Sequence, residues 1–65
     1  MTAKQLAQKI NAANGDDQKI KDAKQKFVDE GGTTGVQDGG KVFSDANGDT
    51  VFVTDGGKVF GGKVF

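Results

Sequence analysis

Between Lys41 and Phe65 one small unit, Val-Phe after Lys or Thr, appears four times and is fenced each time by Gly or Asp. The copies are Lys41-Val42-Phe43, Thr50-Val51-Phe52, Lys58-Val59-Phe60 and Lys63-Val64-Phe65. Val and Phe favour strands, while the Gly and Asp between them favour turns. Most of the large apolar surface is therefore divided into strand-sized pieces too short to bury themselves. Whatever precedes them must cover them, or they remain sticky.

The preceding half reads as helical. Thr2 followed by Gln5 is a capping-box pattern, and Ala3, Leu6, Ala7, Ile10 and Ala13 recur at helical spacing. This predicts a first helix from Ala3 to about Ala13. Asn14-Gly15 is a left-handed stop and Asp16-Asp17 a new start, so a second helix is expected from about Gln18 to Asp29. Its apolar face is Ile20, Ala23, Phe27 and Val28. Lys4, Lys9, Lys19, Lys21, Lys24 and Lys26 read as solvated helix faces.

Glycine marks the change of character. There is one Gly in the first thirty residues and ten in the remaining thirty-five. Gly31-Gly32 ends the helical segment, residues 1–30, and Thr33-Thr34-Gly35 reads as a flexible connector. From Val36 to Phe65 the expectation is an antiparallel meander. Its strands are Lys41 to Asp45, Thr50 to Thr54, and two very short ones, Lys58 to Phe60 and Lys63 to Phe65. Turns are expected at Asp38-Gly39-Gly40, Ala46-Asn47-Gly48 and Asp55-Gly56-Gly57. The fold class is α+β in a single small domain: two short helices, then a Gly-rich antiparallel meander or a small SH3-like barrel. In the central strand Val51 and Val53 share one face and Phe52 the other, so both faces carry apolar bulk.

At 65 residues a domain buries only about 60% of its unfolded surface and is marginal alone. The chain has no Cys and no His, which excludes disulfides and the usual zinc ligand sets. Oligomerisation remains as a source of stability. Nine Lys balance nine acidic residues and Arg is absent, which argues against a nucleic-acid partner, since such binders concentrate positive charge and favour Arg forks. The start, Met1 to Leu6, lacks the apolar run of a signal peptide, and no stretch reaches membrane-spanning length, so the expectation is a soluble protein with no membrane partner.

Three patterns bear on chemistry. Gly57-Lys58-Val59-Phe60-Gly61-Gly62-Lys63 matches a phosphate-cradling loop for seven positions, but Val64 stands where the Ser or Thr that holds magnesium is needed. Asp45, Asn47 and Asp49 resemble the opening of a calcium loop, but Thr50 replaces its Gly and Gly56 its terminal Glu. Both read better as turns. Asp38, Asp45, Asp49 and Asp55 all flank glycines, where Asp serves local hydrogen bonding rather than acid-base chemistry. Ser44 has no base placed beside it by any motif. No catalytic, cofactor or metal site is expected, and no enzyme.

Gly48-Asp49-Thr50-Val51-Phe52-Val53-Thr54-Asp55-Gly56, with Gly61-Gly62-Lys63-Val64, resembles the KOW motif of small SH3-like barrels in ribosomal and transcription-elongation proteins. The resemblance spans about seventeen residues. It implies a barrel whose loops contact RNA or another protein, with Gly48, Val51, Val53, Gly56 and Gly62 in structural roles. The family's dense basic loops are missing here. The residues themselves point instead to self-association, as a homo-oligomer or as an accessory subunit of a larger protein assembly such as a virion or fibre. The contacts expected to carry it are Phe43, Phe52, Val59, Phe60, Val64 and Phe65, through apolar packing and strand-edge pairing. The restricted alphabet and near-repeated GGKVF are also what a designed or laboratory-selected miniprotein would show.

Overall fold

The computed structural model describes residues 1–61. The order of elements is α1 (Ala3–Ala13), α2 (Asp17–Asp29), β1 (Thr33–Gln37), β2 (Gly40–Ser44), β3 (Thr50–Thr54) and β4 (Val59–Gly61). The four strands form one antiparallel meander in sequence order, and the two helices lie across one of its faces. The α+β class holds. Among the described residues the sheet is not closed and β1 and β4 are its edges, so the expected alternative of a small SH3-like barrel is not confirmed.

Both helices begin and end on the residues that the sequence marked. The Thr2 hydroxyl accepts from Gln5 N at 3.1 Å while Gln5 Oε1 accepts from Thr2 N at 2.9 Å, so two free N–H groups are satisfied reciprocally. Asn14 ends α1 in the left-handed conformation, and Asp16 caps α2 by accepting from Gln18 N and Lys19 N. At the far end of α2, Gly31 N donates to Val28 O and Gly32 N to Phe27 O. This is the paired Schellman arrangement, and Gly31 supplies the φ of 100° that it needs. Gly32 is required for space: a Cβ there would run into the Phe27 ring.

The core forms where the helices meet the sheet. Leu6 and Ile10 of α1, Ile20, Ala23 and Phe27 of α2, and Phe43, Val51 and Val53 of the sheet are all buried. Phe27 and Phe43 meet edge to face with ring centroids 5.8 Å apart, a geometry that adds a stabilising quadrupole term to the burial. α1 packs over β3 and β4, and α2 over β1.

Three strands differ in their bounds from the sequence reading. The supposed connector Thr33-Thr34-Gly35 is the first part of β1, paired with Ser44, Phe43 and Val42. Local composition hides this strand. Its place comes from a non-local ladder, reinforced by Thr33 and Thr34 hydroxyls that donate to the Ser44 and Val42 carbonyls. β2 starts at Gly40, which the sequence reading put in the turn, and stops at Ser44, where the Asp45 side chain turns inward to organise the following loop. β4 runs one residue later than expected, and the last expected strand, Lys63 to Phe65, lies outside the described residues.

Candidate interaction faces

Residues directly opposite each other in an antiparallel ladder share a face, so the register assigns every strand residue to one side. Phe43 opposes Val51, and Lys41, Val53 and Val59 oppose one another in turn, all on the side of the helices. Gly35, Val42, Phe52 and Phe60 form a single cross-strand row on the other side. No helix covers that row among the described residues. Phe52 and Phe60 stack with centroids 6.4 Å apart and planes inclined by 29°. Phe52 is half-buried and Phe60 is 51% exposed.

Gly40 shapes this face. It pairs with Thr54, and a Cβ there would lie 2.9 Å from the Phe52 Cζ and collide with the Val53 backbone. The Phe52 ring therefore lies over Gly40. Ser44 and Thr50 mark the polar end of the same face, their hydroxyls 2.8 Å apart.

The six residues expected to carry self-association are not all brought together. Phe43 is only 2% exposed and is held under α2 against Phe27, on the opposite face from Phe52 and Phe60. Its strand leads into a five-residue loop that sets Phe43 opposite Val51, and so opposite in facing to Phe52. Val59 is half-buried and packs against the core. Phe52 and Phe60 do meet on the open face. Val64 and Phe65 lie outside the described residues. Sequence reasoning missed Val42, the third apolar member of the row, because its facing is set by the β2–β3 register rather than by local pattern.

The Asp45–Asp49 loop uses its oxygens for structure. Asp45 Oδ1 accepts from Asn47 N at 2.9 Å and Asp49 N at 3.0 Å, and Oδ2 accepts from Ala3 N at 2.8 Å. Ala3 opens α1, so one carboxylate both closes the β2–β3 loop and caps a helix 42 positions away. The Ala3 hydrogen bond, helped by the loop amides, holds the Asp45 carboxyl below its usual range against the opposing effect of desolvation. Those carboxylate oxygens face N–H donors rather than a cation site. Among the described residues no cluster of three or more potential metal ligands forms. At the same end of α1, the Met1 ammonium lies 2.7 Å from Glu30 Oε1, and that hydrogen bond lowers the Glu30 pKa.

The phosphate-loop pattern also resolves into a turn as far as it is described. Gly57 takes a φ of 86° and its N–H donates to Thr54 O, while the Thr54 hydroxyl accepts from Lys58 N. No described helix is long and apolar enough to cross a membrane. Compared with family models, with curated proteins and with solved structures, the chain finds no match.

Proposed function

We propose that this is a small assembly protein that acts by self-association, or as an accessory subunit within a larger protein lattice of virion or fibre type. The observation that supports this reading is Phe60, 51% exposed on the sheet face opposite the helices at the end of a cross-strand row with Val42 and Phe52. An exposed aromatic ring such as Phe60 is stabilised by a second surface packed against it, and aromatic residues are the side chains that most often anchor such contacts. Two copies packed through this row form an isologous sheet-on-sheet sandwich, with the helices of each copy outermost. The Phe52–Phe60 stack already holds the two rings together in each copy, which lowers the ordering cost of the contact.

Mass in solution tests the proposal. Light scattering across a hundredfold concentration range, with circular dichroism on the same samples, is expected to show a discrete oligomer that dissociates on dilution. Phe60→Ser should abolish the oligomer while leaving the helical signal intact. A folded monomer at every concentration would overturn the reading.

A further inference from the structure

The sheet has an open edge, independent of the aromatic row. β1 is an edge strand of five residues, Thr-Thr-Gly-Val-Gln, with no charge and no proline within it. Edges of this length are usually guarded by Lys, Pro or a bulge, because their outer N–H and C=O groups are a template for another strand. Here the Thr hydroxyls bond inward to β2 carbonyls and hold β1 flat against its neighbour. No backbone hydrogen bond reaches its outer side among the described residues. Val36 is 85% exposed, the highest exposure among the described large apolar residues.

Next to this edge, α2 leaves the sheet partly uncovered. The resulting groove, about 580 Å³, is floored by Thr34 and Phe43 and rimmed by Val28 of α2. Three cations line it, Lys21 and Lys24 from α2 and Lys41 from β2. The single acid in its wall, Asp22, has a carboxylate that accepts a hydrogen bond from the Gln18 amide. Lys41 of β2 and Val36 of β1 are cross-strand partners, so a cation lies beside exposed apolar surface on the side of the sheet that faces the helices.

We infer that β1 is a docking edge for an extended, acidic segment of another protein. The segment adds as a fifth strand, its backbone completing the ladder, its apolar side chains over Val36 and Val28, and its carboxylates toward Lys21, Lys24 and Lys41. Charge selects this occupant over a second copy. Pairing β1 with β1 sets two basic grooves side by side. Pairing β1 with β4 offers three uncharged residues that follow Lys58 and bring no acid to the groove. A foreign carboxylate-bearing strand satisfies both the backbone and the lysines.

The probe is a blocked seven-residue peptide, Glu-Thr-Val-Thr-Glu-Thr-Val, which carries Glu and Val in turn on one face of a strand, compared with the same peptide carrying Lys for Glu, both titrated into the full chain. Amide shifts in nitrogen–proton correlation spectra are expected at Thr33–Gln37 with the Glu peptide. Affinity should be about tenfold weaker for the Lys peptide, from a few surface charge contacts, and should fall as salt rises. The double variant Lys21→Glu, Lys24→Glu, whose fold is checked by circular dichroism, should reverse the preference. Absence of shifts with either peptide, equal binding of both, shifts confined to the Phe60 row, or a β1-mediated dimer without peptide would each overturn the inference. Because the readout maps to β1, its failure is distinguishable from failure of self-association through the aromatic row.

Discussion

Phe43 and Phe60 each close a Lys-Val-Phe triplet, yet Phe43 is sealed beneath α2 and Phe60 stands half in solvent on the opposite face. The two triplets have the same chemistry and the same strand propensity. Their fates differ because side chains alternate along a strand and the pairing register fixes the parity of each residue. In β2 the Phe faces the helices and Val42 the open side, whereas in β3 and β4 the Val faces the helices and the Phe the open side. One residue more or less in the Asp45–Asp49 loop would place Phe43 beside Phe52 and empty the core of its largest sheet side chain. The comparison teaches that apolar content does not separate core from surface in this protein. Turn length does.

The widest separation between the faces is expected from truncating one Phe on each. Phe43→Ala removes a buried ring and the edge-to-face contact with Phe27, for a loss of about 3–5 kcal/mol, enough to unfold much of a domain this small. Phe60→Ala should cost below about 1 kcal/mol in the monomer. Urea titrations at a concentration below any association would measure both, and equal losses would break the distinction between the faces.

A smaller effect tests how the open face is shaped. In Gly40→Ala the added methyl meets the Val53 backbone and the Phe52 ring, and relieving that overlap costs about 1–3 kcal/mol. The displaced Phe52 ring should also change its stacking on Phe60, visible as shifted aromatic proton resonances. Unshifted resonances would mean that Gly40 does not set the ring position.

The smallest effect concerns the tie between the two layers. Asp45 joins the sheet loop to the start of α1, and its folded pKa lies below its unfolded one. Its contribution is therefore complete above the unfolded value near 3.8 and is lost as pH falls through the lowered folded value. Glu30 follows the same sign from its ordinary value of 4.5. Stability should stay level as pH falls from neutral, then decline within the carboxylate range. Asp45→Asn should make that decline shallower, and parallel acid profiles for the two proteins would show that the carboxylate does not tie the layers together.

The helices were legible residue by residue because their signals are local: a capping box at Thr2 and Gln5, a left-handed stop at Asn14, an Asp16 cap and a double-glycine end. The hairpin turns were legible for the same reason, since Asn47-Gly48 and Gly56-Gly57 carry their conformational preference with them. β1 was not, because Thr-Thr-Gly has no strand pattern of its own and is ordered by a ladder to β2. Nor was the second role of Asp45, whose partner at Ala3 is remote in sequence, nor the burial of Phe43.

By itself, then, the chain of residues determined which segments are helical, where the turns fall and that four Val-Phe units would need cover. Tertiary structure alone decided which member of each of the three described units is covered. Short-range preferences are set within a few residues of backbone, whereas facing depends on strand register, and register is chosen only when the helices bury one side of the assembled sheet.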